Sequence, residues 1–350
     1  MRNLKATYLW AIMLAVLFTS CESWIYDEEG DCETVYELQF VYDHNLKWAD
    51  AFPSEVEAVT LHVFDAATGA HVMSATERGD ILRQEGYTMR LDIPAGDYQM
   101  VAWCGEGAHD DGVSFSIPEI DHSTSRREHL QCRMTRTPNP DGTGSEIKTD
   151  GGLNALFHGQ ITATLPEGEG QKVRLKMPLV KNTNRLKVVL QSLSGKEINP
   201  DEYSFTVEDN NGLMDWDNTV LDDEPLTFHP WSVSGGSAEI LRSGDEEAEK
   251  SMISAVVADM TLGRLMTDHK PILTAWHNSG DSRKAVFRIP LIDYALMVKG
   301  KYKHDMTDQE YLDRQDEYNM TFFLTESNEW MNAFIYINSW KVVTEDIWVE

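Results

Sequence analysis

The chain has 350 residues, with 58 acidic against 30 basic side chains, a formal charge of −28, and a composition that is 41% hydrophobic and 25% charged. Such a chain folds rather than staying disordered, and its length suits two domains that each bury a core. The acidity argues against nucleic acid and against broad docking on anionic lipid, because both need clustered cations and no block of five or six basic residues occurs.

Arg2 and Lys5 precede an apolar run at residues 9–18 (LWAIMLAVLF). Ten residues of helix reach about 15 Å, half a bilayer core, which marks residues 1–20 as a signal peptide rather than a membrane span. Thr19, Ser20 and Cys21 follow, two small residues and then a cysteine. This resembles the lipobox of bacterial lipoproteins, with Phe18 where Leu or Val is usual, and it implies lipid attachment at Cys21. The plainer alternative is a secretory signal cut near a cysteine. Residues 21–34 then read as a lipidated tether, whose Glu22, Asp27, Glu28 and Glu29 resemble surface-export signals of the Bacteroidetes or simply solvate the tether. In an oxidising compartment Cys104 and Cys132, each in or next to a strand, form the expected disulfide, with Cys32 left over; buried free thiols are the alternative. No CxxC occurs, so neither a zinc knuckle nor a thioredoxin motif is indicated.

From residue 35 onward, alternation of period two dominates. Tyr36, Leu38 and Phe40 share one strand face, as do Val59, Leu61 and Val63, then Met89 and Leu91, then Tyr98, Met100 and Ala102, with a Pro94–Gly96 turn joining the last two strands. Val173, Leu175 and Met177 continue the pattern, followed by Leu186, Val188 and Leu190. Residues 136–152 and 234–250 read as polar loops. The expected fold is all-β: two transthyretin-like, Greek-key β-sandwich domains in tandem, over residues 35–181 and 182–350, with one short helix in the second. That helix starts at Thr307, where Thr307 and Glu310 form a capping box ahead of Tyr311. The C-terminus, residues 335–350, is β-branched and aromatic without Pro or Gly.

Several segments resemble the FimB/Mfa2 family of fimbrial anchor subunits of Bacteroidales. They are FVYDHNLKWADAFPSEVEAVTLHVFD at 40–65, IPAGDYQMVAWCG at 93–105, LFHG at 156–159, LVKNTNRLKVVL at 179–190, DNNGLMDWDN at 209–218, QEYLDRQDEYNMTFFL at 309–324 and INSW at 337–340. They recur in order along nearly the whole chain after the signal. Cys104 departs from the Gly expected after Trp103. The resemblance implies an outer-membrane lipoprotein, surface-exposed, that holds a fimbrial shaft and limits its length. It implies the major stalk subunit as partner, with no cofactor and no enzymatic activity. Its C-terminal strand, through Ile335, Ile337, Trp340, Val342, Ile347 and Val349, is the expected donor to the shaft; an ordinary last strand is the alternative.

No HExxH, GxSxG or GxxxxGK[ST] occurs. Aligning Gly212 with the invariant glycine of an EF-hand puts Val207 and Asn218 at the two essential ligand positions, leaving at most an irregular calcium site from Asp209, Asp215 and Asp217. Asp43, His44 and Asp50 sit in a loop without a nucleophile, and His62 and His158 read as structural. The competing function is a surface glycan-binding lipoprotein of a nutrient-uptake system, with tryptophans such as Trp48, Trp103, Trp216, Trp231, Trp330, Trp340 and Trp348 as its platform.

Overall fold

The computed structural model describes residues 34–105, 114–121, 123–168, 170–241, 250–280, 282–302, 304–331 and 334–343. Cys21, Cys32, Ile347, Trp348 and Val349 lie outside the described residues, together with the rest of residues 1–33.

The first sandwich is one seven-stranded sheet folded over on itself. Its order is His71–Arg78, Ala58–Asp65, Gly96–Cys104, Phe157–Leu165, Lys172–Lys181, Val35–Val41, Met89–Leu91. The fold occurs at Lys172–Lys181: its last residues pair with Phe157–Gly159, while residues 172–178 pair in parallel with Val35–Val41. The two flaps enclose Leu38, Phe40, Leu61, Val63, Met100, Ala102, Phe157 and Met177. The alternating residues therefore face inward as the period predicts.

The second sandwich is built from two six-stranded sheets. One runs Ser232–Leu241, Lys250–Gly263, Thr183–Ser192, Glu317–Leu324, Phe334–Ile337, Trp340–Val343; the other runs Ser282–Pro290, Ile272–Ser279, Tyr203–Asp209, Leu226–Phe228, Ser145–Ile147, Thr137–Pro138. Leu186, Val188, Leu190, Val256 and Phe322 from the first meet Phe205, Val207, Leu273 and Ile289 from the second. A small sheet of Val220–Leu221, Leu213–Met214, Cys132–Met134 and Phe115–Ser116 closes one side. In each half the opening strand pairs in parallel with a later strand, Val35–Val41 with Lys172–Lys181 and Thr183–Ser192 with Glu317–Leu324. That shared arrangement fits two distant copies of one sandwich.

Three expectations need correction. The division at Lys181 and Asn182 is not clean. Cys132–Met134 pairs with Leu213–Met214, and Ser145–Ile147 pairs in parallel with Leu226–Phe228, so strands from the first half of the chain complete sheets of the second. Arg136 fastens this crossover, donating to the Met134 and Gly212 carbonyls and pairing with Asp223. The described part of the expected 234–250 loop is strand: Ser232–Leu241 pairs through all ten residues with Lys250–Gly263, and that pairing overrides the Gly235–Gly236 composition. The disulfide is absent, since Cys104 and Cys132 are both buried free thiols. Cys104 points into the first core and Cys132 into the second, and burial pushes both thiol pKa values up.

Strand Gly96–Cys104 explains why the halves form one unit. Tyr98, Met100, Ala102 and Cys104 face the first core, while Val101 and Trp103 on the opposite face join Phe64 in the second core. Both faces of the strand are buried, and its near-continuous apolar run QMVAWC reflects that.

Candidate functional site at the C-terminal edge and the junction

The C-terminal hairpin is built on Glu317–Leu324, which pairs with Phe334–Ile337 through Met320 opposite Ile337 and Thr321 opposite Tyr336. Ile335 and Ile337 have no exposed surface. Asn338 and Ser339 then turn the chain with φ of 47° and 70°, both in the left-handed region. Two consecutive left-handed residues between paired Ile337 and Trp340 make a type I′ turn, whose twist suits adjoining strands. The Asn338 carboxamide oxygen accepts from the Asn319 backbone N–H at 2.8 Å, and the Asn338 N–H donates to the Asn319 carbonyl at 2.8 Å. Trp340–Val343 is left as the outer strand of the sheet. Val342 packs against the core, but Trp340 and Val343 are 45% and 56% exposed. Of the expected donor residues, Ile335 and Ile337 are committed to their own sheet. Trp340 and Val342 lie beyond the turn on the edge.

The junction between the sandwiches carries a cleft of about 470 Å³, lined by Asn45, Ser54 and Glu55 on one side and Arg185, Arg314 and Asp316 on the other. The Lys181 ammonium donates to Asp316 at 2.7 Å and to Glu55 at 3.0 Å. Burial pulls the lysine pKa down, but the two carboxylates outweigh it and the value lies above the ordinary one. Arg314 pairs with Glu310 at 2.9 Å, donates to the Asp43 carbonyl and lies 3.9 Å from the centre of the Trp48 ring. Trp48, itself left-handed at φ 54°, also meets the His304 ring at a tilt, with centres 4.2 Å apart. Lys181, Glu55, Asp316, Arg314 and Glu310 thus pair with one another across this cleft and clamp its walls.

The family model for fimbrillin-A associated anchor proteins Mfa1 and Mfa2 matches residues 28–346. The chain belongs to this family. It is 22% identical over 281 residues to the minor fimbrium anchoring subunit Mfa2 of Porphyromonas gingivalis, covering 79% of this chain and 76% of that protein. A Bacteroides thetaiotaomicron structure described as a candidate adhesin superposes with a TM-score of 0.73 at 29% identity, covering 89% of this chain and 97% of that one. The fimbrial anchor protein Mfa2 from Porphyromonas gingivalis shares the fold, with a TM-score of 0.61 at 19% identity over 89% of this chain and 100% of that one.

Within this fimbrial anchor fold, His158, Asp50 and Asp209 make contacts that hold the structure. The His158 ring faces Trp103 edge-on, with centres 4.6 Å apart, and its Nε2 bonds the Trp216 carbonyl at 2.9 Å. Burial lowers its pKa to about 4. Asp50 accepts from the Tyr42 and Phe52 backbone N–H groups and so closes the loop that carries Asp43 and His44. Asp209 is spent on His269, and among the described residues no group of three or more His, Cys, Asp or Glu is placed to hold a metal. Trp103 is buried, whereas Trp48, Trp231 and Trp340 are exposed, on three different segments of the chain. No described helix is long and apolar enough to cross a membrane.

Proposed function

We propose that this chain is a lipid-anchored fimbrial anchor subunit. Cys21 carries the lipid, the protein faces outward from the outer membrane, and it holds the base of a fimbrial shaft and limits its length. No catalytic step is assigned. The observation that carries the reading is the C-terminal edge: a strand with exposed Trp340 and Val343, hinged by a two-residue turn at the outer side of its sheet. An edge strand offers unpaired backbone groups to another chain, or can itself be lent to one. Burial of Ile335 and Ile337 confines the lent segment to Trp340 onward, through Val342, Ile347 and Val349, with the major stalk subunit as recipient.

A truncation ending at Ser339 tests this, since it leaves Phe334–Ile337 in place. The expected result is protein at normal abundance on the cell, with fimbriae shed into the medium. Fimbriae retained on cells carrying abundant truncated protein would refute the joint. Glycan binding is the second reading, supported by a similar Bacteroides thetaiotaomicron structure (28% identity, TM-score 0.72, 90% of this chain and 99% of that one) described as a candidate polysaccharide-binding protein. Retention of soluble glycan by the purified protein, with fimbrial attachment unaffected by the truncation, would favour it.

A further inference from the structure

Lys172–Lys181, Val35–Val41 and Met89–Leu91 lie side by side, and Tyr36, Leu38, Leu91 and Met177 turn from them into the first core. The residues between point the other way. Register sets Lys172, Arg174 and Lys176 beside Val35, Glu37 and Gln39, with Arg90 beside Glu37 from the far side. Lys172 and Arg174 are 59% and 49% exposed, and Lys176 and Arg90 are exposed as well. The outward face of these paired strands therefore carries four cations and one carboxylate. That carboxylate, Glu37, is taken up by Lys172 at 2.6 Å and Arg174 at 3.0 Å. Asp92 and Glu167 lie past the strand ends. From the spacing of residues and strands, the cations cover a patch of about 13 by 10 Å.

Charge near a sheet edge such as Met89–Leu91 also deters foreign strands, but either sign serves that purpose. In a chain with 58 acids and 30 bases, four cations around one acid are a choice of sign. The parallel strand pair of the second sandwich shows the contrast, since Glu317 balances Arg185 and Asp259 balances Lys187. The acidity of the whole chain does not cancel the face, because at physiological salt a charge acts over about 8 Å. Its place in the chain matters equally. Val35 opens the middle strand of the three, and thirteen residues separate it from Cys21, a reach of at most about 50 Å.

We propose that this face docks on the phosphate headgroups of the bilayer that holds the lipid, so that the first sandwich lies against the membrane. Lys and Arg donate charge-assisted hydrogen bonds to phosphate, and a flat patch of four meets several headgroups of one plane at once. A lipid chain and a basic patch are each a weak membrane signal and together a stable one. Glu22, Asp27, Glu28, Glu29, Asp31 and Glu33 repel the same headgroups, which leaves the attraction to the folded face. Only the choice of a membrane as the anion rests on the lipid-anchor reading.

The test couples the purified chain from residue 21 onward, carrying Cys32→Ser, through Cys21 to a maleimide lipid in vesicles. This link supplies an anchor whether or not cells lipidate Cys21, so failure here is separate from failure of that reading. Cys104 and Cys132 are buried and stay uncoupled. The vesicles are phosphatidylcholine alone or with about a third phosphatidylglycerol, an anionic lipid. A pulse of amine-acylating reagent, read by mass spectrometry, reports each lysine. The expected result is at least fivefold slower acylation of Lys172 and Lys176 on the anionic vesicles, with Lys284, 76% exposed on the second sandwich, unchanged. Salt at about 1 M, where screening shortens to about 3 Å, should abolish the difference. Arg90→Gln with Arg174→Gln should also abolish it, whereas Arg185→Gln with Lys187→Gln, an equal loss of charge elsewhere, should leave it. Equal acylation on the two kinds of vesicle would overturn the proposal, and so would protection that both variant pairs affect alike. Slow acylation of Lys172 and Lys176 on both kinds, relieved by salt, would overturn it too, by making the acidic residues 27–33 the occupant.

Discussion

His158 should make this protein lose stability between neutral pH and pH 4 in a way that one substitution removes. Its ring is buried against Trp103 and bonded to the Trp216 carbonyl, and its pKa falls to about 4 from an ordinary 6.5, chiefly because burial penalises the charged form. The unfolded chain therefore takes up a proton near pH 6.5 that the folded chain refuses until about pH 4. Stability from this group is complete above pH 6.5 and is lost as pH falls through that window. A shift of this size is worth roughly 2 kcal/mol at pH 5 and roughly 3 kcal/mol at pH 4. Against a total of about 5–15 kcal/mol that is a large share. Urea unfolding at pH 7, 6 and 5 measures it, with His158→Gln as reference, because a carboxamide can still donate to Trp216 but does not titrate. The variant should lose about 1 kcal/mol at pH 7 and then lose less than wild type on acidification. Carboxylate contributions are common to both proteins and cancel in the difference. Parallel curves from pH 7 to 5 would refute the burial argument.

Thr307→Ala should cost about 0.5–2 kcal/mol, seen as a lower urea midpoint, because the Thr307 hydroxyl accepts the Glu310 N–H at 3.1 Å. Ser339→Gly should stabilise by about 0.5–1 kcal/mol in the same assay, relieving a side chain held at φ 70° by the turn; an unchanged midpoint would mean the turn is not formed. Metabolic labelling with an acyl-chain analogue should mark wild type and not Cys21→Ser, and equal labelling would remove the lipid anchor. 

The inward faces of the strands were legible because a buried face must alternate, and Leu38, Leu61, Met100 and Val188 lie where period two puts them. The cap at Thr307 was legible too, but only its half: Glu310 turns to Arg314 rather than completing the capping box, since a charged partner four residues on competes for it. The six-residue helix Leu291–Leu296 after Pro290 was missed, being too short to show a period. Strand Ser232–Leu241 was hidden by Gly and Ser, and only its pairing partner reveals it. The crossover of Cys132–Met134 and Ser145–Ile147 depends on contacts some eighty residues away, which no local pattern records. Of the C-terminal joint, the apolar strand could be read from sequence, whereas the turn that divides Ile337 from Trp340 could not be distinguished from continuous strand.

The order of strands bears on how an anchor carries load. Under the anchor reading, tension enters from the tether at Val35 and leaves the first sandwich at Lys181. Those residues belong to two strands that lie side by side and parallel, joined by seven residue pairs. Pulling the start of one against the end of the other shears all their hydrogen bonds together instead of opening them singly. Asn182 passes the load directly to Thr183–Ser192, which is parallel to Glu317–Leu324 through eight pairs. The second sandwich is thus loaded in shear as well. Beyond Leu324 the geometry changes, because Phe334–Ile337 and Trp340–Val343 are antiparallel hairpin strands that peel one bond at a time. Force-spectroscopy pulling between residue 35 and residue 343 should show one low-force event of a few residues, the hairpin, before the high-force unfolding of the sandwiches. If a sandwich yields first, shear loading does not govern, and the hairpin is not the weak link that a transferable strand requires.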